Sequence, residues 1–400
     1  ELRTEWLNDD AYARALDKLG EVNMMALVSK ICLEMLKMHG LEMKSIHLDT
    51  TSKSVQGRYE EMATGNFDIT YGYSKDKRPD LLQFKMGAAV QQDSLVVMGE
   101  MLAGNHTDNA WNPEAIKGMR ALFESYGYTG ITFVGDAATV ASFDNLTELK
   151  GIRFISRLPE TFGIAHTLKA RAMEEDDFED IGILSSKATS ASYKLKSYTE
   201  ELNGTAYRFL IVHSTALEAI KKNTLSRNTD KSIAALSKKA ERLKKQSFAC
   251  QADAQTALDA FVKTVVHEKI LYQADVQAVT KVNFGKRGRP KSDVSGELTT
   301  TFHACCELLG PDQEILAKKL QSESMFVLIS SIIDSRTTDR ELLTEYKHQN
   351  SIEEAFRFLK SPVYLGQVLL NKKERVEAMG YVFILVLMLA SYRSEERRVG

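Results

Sequence analysis

The chain is poor in cysteine, with Cys32, Cys250, Cys305 and Cys306 the only four in 400 residues. None forms a CxxC pair, and the adjacent Cys305 and Cys306 have no His or Cys partners at zinc-finger spacing. A disulfide scaffold and a structural zinc site are therefore not expected, and a reducing compartment is. An excess of either charge is also missing: 52 basic residues stand against 54 acidic ones, for a formal net charge of −2. Any grip on a polyanion has to come from local clustering. The longest apolar run, Tyr381 to Ala390 (YVFILVLMLA), falls short of the roughly 20 residues a membrane span needs and reads as a core helix. There is no repeat at a period of about 20–50 residues. The first residues, ELRTEWLNDD, contain no initiator Met and no apolar signal segment, so a secretory leader is not expected and the chain can be a fragment. Tryptophan occurs only at Trp6 and Trp111, so residues 160–352 offer no indole wedge for a flipped base.

What is present is a globular composition, 44% apolar and 26% charged, long enough for two or three domains of about 100–200 residues. Residues 1–40 carry apolar side chains at helical spacing and stop at Gly40. Three short strand-like runs follow, Ser45–Ser52, Ile69–Tyr73 and Leu81–Met86. A helix is expected over Pro113–Tyr126, with Asn112 as its cap and Pro at its first position. The strand Ile131–Asp136, a short helix and the strand Ile152–Ser156 come next. This order describes a mixed α/β sheet rather than an all-parallel one. Beyond residue 160 the character changes. Asn203-Gly204 marks a hairpin, and a long polar helix pattern runs over about 216–246, which together read as an insertion. The α/β pattern resumes with the apolar strand Met325–Ile333 and a helix over Arg340–Lys360. Charge returns abruptly at 393–400 (RSEERRVG), which reads as a tail of foreign or truncated origin.

Charge neutrality conceals local excess. Residues 217–246 hold nine basic and three acidic side chains, a net of +6, on what reads either as a DNA-tracking face or as an ordinary solvated helix. Lys75, Lys77 and Arg78 cluster in a turn-like stretch between strands, where a solvated loop is the competing reading. Lys286-Arg-Gly-Arg-Pro-Lys291 resembles an AT-hook core, in which Arg287 and Arg289 would enter a narrow minor groove. A flexible basic loop meeting phosphates is the other reading.

Asp49 and Asp136 each read as the C-terminal residue of an apolar strand followed by small or hydroxyl side chains. Strand ends of an α/β sheet are where ligands bind, and carboxylates on neighbouring strands can hold divalent cations. From position alone, an Asp that merely caps a turn or helix is the plainer reading. His47 beside Asp49 reads as a packed strand residue rather than a catalytic one. On the expected last helix, Ile352, Ala355, Phe356 and Leu359 form the buried stripe. Tyr346, Glu353 and Lys360, seven residues apart, share an adjoining face. Glu353–Arg357 pairing on a solvated face is the plainer alternative.

The order strand-Asp49, strand-Asp136, insertion, helix-Glu353 resembles the DDE catalytic core of bacterial insertion-sequence transposases. Tyr346, Gln349, Glu353 and Lys360 stand at the spacings of the YREK signature of that family, with Gln in place of Arg, an exchange that removes a guanidinium fork. Trp6-Leu-Asn-Asp-Asp, Tyr73-Ser-Lys-Asp-Lys-Arg-Pro-Asp80, Gly104-Asn-His-Thr-Asp108, Phe248-Ala-Cys-Gln-Ala-Asp253, Gly288-Arg-Pro290 and Phe356-Arg-Phe-Leu-Lys360 are similar to the subgroup typified by insertion sequence sixteen thirty-four.

The resemblance implies an RNase H-like mixed-sheet catalytic core. Its parts would be a helical remnant of an end-binding region at 1–44, core at 45–160, an α+β insertion at 161–324, and core with C-terminal helices at 325–392. It implies phosphodiester hydrolysis at transposon ends and transfer of the 3′-hydroxyl into target DNA, with no covalent enzyme intermediate. Asp49, Asp136 and Glu353 would hold two Mg²⁺ ions, for which Mn²⁺ substitutes. Tyr346, Gln349, Arg357, Lys360, Lys75, Lys77, Arg78, Arg287 and Arg289 would contact DNA. It further implies a homodimer in the DNA complex, no membrane, and a place at the nucleoid in the cytoplasm of a bacterium or archaeon. A defective relic that only binds DNA, and a structure-selective nuclease without strand joining, are the alternatives.

Overall fold

The structure is a computed structural model describing residues 8–57, 59, 67–92, 95–185, 190–283, 297–349, 352, 356, 357, 368 and 370–399. It has two compact units. The first comprises Glu1–Ile181, Leu195–Val212 and Phe326–Gly400, and the second Gly182–Lys194 and His213–Met325.

Two helices lead in, α1 (Asp9–Gly20) and α2 (Met24–Met38). Asn8 and Asn23 cap them by accepting the backbone N–H three residues on. Just beyond α2, Gly40 adopts φ +60°, a conformation that glycine takes without a Cβ clash. An antiparallel meander follows, β1 (Ser45–Val55), β2 (Leu82–Gln91) and β3 (Val96–Ala103). The expected strand at 69–73 reduces to a single bridge between Thr70 and Gln83. The third strand is instead β3, whose sequence VVMGEMLA lacks alternation because nearly all of it is buried.

The chain continues through α3 (Asp108–Ser125), β4 (Thr132–Gly135), α4 (Phe143–Glu148), β5 (Phe154–Arg157), α5 (Gly163–Glu175), β6 (Glu179–Ile183), β7 (Ser192–Leu202) and β8 (Thr205–Ser214). Helix α3 starts five residues earlier than the proline signal suggests, with Thr107 at its cap and Pro113 inside it. Proline cannot donate to the carbonyl of Asn109. The side chain of Asn145 does so instead, at 2.8 Å.

After α6 (Thr215–Lys245), α7 (Gln251–His267), β9 (Ile270–Asn283), β10 (Glu297–Pro311) and α8 (Gln313–Glu323), the chain forms β11 (Met325–Ser330), α9 (Asp339–Lys347) and α10 (Lys373–Val399). Nine strands make one mixed sheet in the order β3-β2-β1-β4-β5-β11-β8-β7-β6. Strand β4 runs parallel to both β1 and β5, and β11 antiparallel to β5. The fold is thus the mixed α/β, RNase H-like type, with its first five strands in the order 3-2-1-4-5. Strands β7 and β8, read from sequence as part of the insertion, pair into this sheet. Their Asn203-Gly204 turn has φ +52° and +70°, as a two-residue hairpin requires.

Helices α2 and α10 cover one face of β2 and β3. Their Val28, Cys32, Val376, Tyr381, Ile384 and Met388 share a core with Phe84, Met86, Val96 and Met101. A Cβ on Gly99 would stand 2.6 Å from Ile384, so α10 meets β3 at glycine distance. Residues Lys373–Arg393 are long and apolar enough to cross a membrane by length and composition, but their buried face against β2 and β3 makes this the expected core helix. Its bounds run through the charged residues read as a tail, as far as Val399.

Of the expected helix over 340–360, α9 covers Asp339–Lys347, and Ile352, Phe356 and Arg357 are helical again, Ile352 and Phe356 being buried; the rest of 350–360 lies outside the described residues. Helix α9 ends at Lys347, where the His348 N–H turns back to carbonyls of the last turn. A turn at Gln349 follows, its carbonyl accepting from the Ile352 N–H at 3.2 Å. In the second unit, α6 and α7 pack on the β9–β10 ribbon through two small cores, one around Leu236, Val265 and Ile270, the other around Leu243, Leu258 and Ala304.

Candidate functional site

Asp49 is not at a strand end. It lies within β1, opposite Ala88 of β2, and the strand continues to Val55. What ends beside it is β4. The parallel register pairs Ser45 with Thr132, Ile46 with Phe133 and His47 with Val134. Continued by two residues, it sets Asp49 beside Asp136, the first residue after β4. Burial pushes the Asp49 carboxyl above its ordinary value, and the charge of Asp136 pushes it further; Lys75 and the Thr50 N–H pull the other way without prevailing. Burial also raises Asp136, with the charge of Asp108 adding to the rise against hydrogen bonds from Ala138 and Asn112.

The neighbours of these acids are the part of the site that sequence reading missed. Asp136 Oδ1 accepts the Ala138 N–H at 3.0 Å and Asn112 Nδ2 at 3.3 Å. Asn112 also donates to Thr139 Oγ1 at 3.0 Å. It does not cap a helix; it is a buried amide on α3 holding the loop after β4. The Ser156 hydroxyl donates to the Asp136 carbonyl at 2.7 Å and ties in β5.

Asp108 is the third carboxylate. Its Oδ1 accepts Thr50 Oγ1 at 2.7 Å and Lys85 Nζ at 3.1 Å, and its Oδ2 lies 3.2 Å from Lys75 Nζ. Burial alone would raise Asp108, but these donors and charges outweigh it and hold the carboxyl below its ordinary value. In the sequence, the only signal for Asp108 is the resemblance of the stretch Gly104–Asp108 to the transposase subgroup.

His47 is buried, and its Nε2 lies 2.8 Å from Glu345 Oε1 on α9; Ser45 Oγ donates to the same oxygen at 2.5 Å. Burial would raise Glu345, yet the bonds from His47 and Ser45 prevail and lower it. His47 and Asp49 are two residues apart on one strand and so share a face. Helix α9 therefore lies on the Asp49 side of the sheet.

Of the other expected site residues, Tyr346 is half-buried, its ring 6.2 Å from that of Phe326. Gln349 is half-buried in the turn after α9, and Arg357 is exposed. Lys77 takes φ +58° in its turn, and Arg78 pairs with Asp80 through Nε and Nη2 at 2.9 and 2.7 Å. Lys75 points inward onto Asp49 and Asp108. Glu353, Lys360, Arg287 and Arg289 lie outside the described residues. On α6, Lys238, Lys239, Arg242, Lys244 and Lys245 are all exposed.

The donor chemistry suits a hard cation. Asp49 and Asp136 are half-buried carboxylates, the charge of Asp136 hindering the ionisation of Asp49 and that of Asp108 hindering Asp136, and all the donors they offer are oxygens. Among the described residues no three His, Cys, Asp or Glu side chains converge tightly enough to hold a metal. Two protein carboxylates fit Mg²⁺, which keeps several of its waters and binds few side chains.

A sheet of this order, with adjacent acids where its fourth strand stops, defines an RNase H-like fold carrying an acid pair. No family model matches the chain, and no curated protein matches it. Among solved structures it is similar to the "Mos1 transposase paired-end complex with left transposon end", at 14% identity and a TM-score of 0.19, covering 37% of this chain. The chain spans 42% of that protein's length. A likeness this slight carries no functional weight.

Proposed function

We propose that the chain is a DDE transposase of the insertion-sequence kind, in the subgroup typified by insertion sequence sixteen thirty-four. It would cut phosphodiester bonds at transposon ends and join the freed 3′-hydroxyl to target DNA. The observation that carries this reading is the parallel β1–β4 register, which brings Asp49 alongside Asp136. The position of α9 on the Asp49 side supports it, because Glu353 follows α9 by a few residues.

In this reading Asp49, Asp136 and Glu353 hold two Mg²⁺ ions. Bound there, the ions supply Lewis-acid stabilisation to the attacking and leaving oxygens of an in-line displacement. Asn112 and the Ala138 N–H keep the Asp136 carboxylate aimed, and Ser156 holds the backbone beneath it. Tyr346, Gln349, Arg357 and Lys360 flank the scissile phosphate, and Lys77, Arg78, Arg287, Arg289 and the basic face of α6 hold more distant DNA. The working form is a homodimer on two transposon ends, in the cytoplasm.

The test is nicking of DNA that carries the ends flanking the gene. Cleavage that requires Mg²⁺ or Mn²⁺ and vanishes in Asp136→Asn is the expected result. Binding of ends without cleavage under any divalent ion would overturn it in favour of a DNA-binding relic.

A further inference from the structure

The Lys75 ammonium sits in an environment made for a different cation. Its main-chain N–H donates to Ser52 Oγ at 2.9 Å, which lays the chain along β1 past the point where β4 has stopped. From there Nζ turns back into a shell made only of oxygens. These are the Thr50 carbonyl at 2.6 Å, Thr50 Oγ1 at 3.1 Å, Asp108 Oδ2 at 3.2 Å and Asp49 Oδ1 at 3.3 Å. An ammonium has three protons, so it cannot make four full hydrogen bonds. Two carboxylates, a carbonyl and a hydroxyl are the donors a hard divalent ion takes.

The two lysines of this site differ in how they are held. Lys85 is 6% exposed and fixed on Asp108 Oδ1. Lys75 is 29% exposed and has a route to solvent. If Lys75 leaves, Asp108 keeps the Lys85 charge and Thr50 Oγ1, whereas Asp49 loses its only cation among the described residues and the repulsion from Asp136 goes unopposed.

We propose that Lys75 is a tethered counter-cation that competes with the divalent ion for Asp49, so that loading the acid pair requires its ammonium to swing away from the carboxylates. The proposal rests on the reading of Asp49 as a metal ligand. It assigns Lys75 a positioning role as a gate on metal entry, in place of the outward DNA contact that its loop position suggests.

The experiment is a titration of the full chain with Mn²⁺, without DNA, following free ion by electron paramagnetic resonance. Wild type is compared with Lys75→Met, Lys75→Gln and Lys75→Arg, and the neutral Gln serves if the Met variant does not fold. Removing a charged partner from Asp49 is expected to tighten Mn²⁺ binding about tenfold or more in the Met and Gln variants. The Arg variant, which keeps the charge, should stay near wild type. Equal or weaker binding by the neutral variants would overturn the proposal while leaving Asp49 a ligand. If neither wild type nor any neutral variant binds Mn²⁺, the metal reading of the site falls, and the gate with it.

Discussion

At Asp136 a half-buried acid is placed where another acid, Asp108, opposes its charge, and this has a measurable cost. Both hydrogen bonds to Asp136 reach Oδ1, and an asparagine can still accept them there. Asp136→Asn should therefore raise the stability of metal-free protein at neutral pH. The carboxyl is raised from its ordinary 3.8, so its stabilising contribution is complete below that value and is lost as pH climbs through the folded one. The advantage of the variant should accordingly begin to shrink as the pH falls through the raised value and vanish below about 3.8, as followed by denaturant unfolding across pH. An advantage that grows on acidification would contradict the burial argument. The same substitution, and equally Asp49→Asn or Glu353→Gln, should cut strand cleavage at least about a hundredfold, as removal of a single electrostatic catalytic group commonly does. Cleavage at wild-type level by any one of them would remove that residue from the site.

Between elements, the approach of α3 to β2 decides where Asp108 and Asn112 sit. A Cβ on Gly87 would stand 2.3 Å from the Trp111 ring, and Trp111 is buried with its indole N–H on Glu100 at 2.7 Å. Gly87→Ala should thus force α3 outward and cost about 1–3 kcal/mol, the usual range for overpacking. Trp111 is one of only two tryptophans, so a shift in tryptophan emission alongside the lower denaturation midpoint would report the displacement. An unchanged emission and midpoint would mean that α3 does not bear on the sheet at this residue. Helix α6 makes a different prediction, because its exposed basic side chains sit on a helix whose buried residues are few. Neutralising Lys238, Lys239, Lys244 and Lys245 together should lower the slope of log affinity against log salt for end DNA, by up to about 0.9 for each phosphate that is no longer neutralised. A constant slope would make this a solvated face only.

For the molecule as a whole, the apolar residues divide among separate cores. The sheet with α2 and α10 has one, and the ribbon with α6 and α7 has two small ones of its own. Units with separate cores need not unfold together. Calorimetry should resolve two transitions, and Asp136→Asn should move only that of the first unit. A single transition displaced as a whole would show the two units to be one cooperative body.

The features legible in sequence are those set by neighbours along the chain. Gly40 stops the lead-in and Asn203-Gly204 turns a hairpin by their own backbone freedom, and the apolar run from Tyr381 hides itself as a core helix wherever it lies. Asp136 was legible for the same reason, since a short apolar strand ends just before it. Other features needed the assembled sheet. That Asp49 lies within its strand, yet beside Asp136, follows from the β1–β4 register, and register is set by pairing across the sheet rather than by local propensity. Strand β3 was hidden because burial on both faces removes the alternation that announces a strand. The sequence could not assign Asn112, Asp108 and Lys75 to the acid pair either: an Asn before Pro reads as a cap, and a Lys in a polar loop reads as a DNA contact or as solvated. Their roles arise from burial and from acceptors that only the folded sheet brings within hydrogen-bonding distance. The chain order by itself carried the kinds of side chain available for the chemistry, while the tertiary structure decided which of them meet, because desolvation and charge act between spatial neighbours.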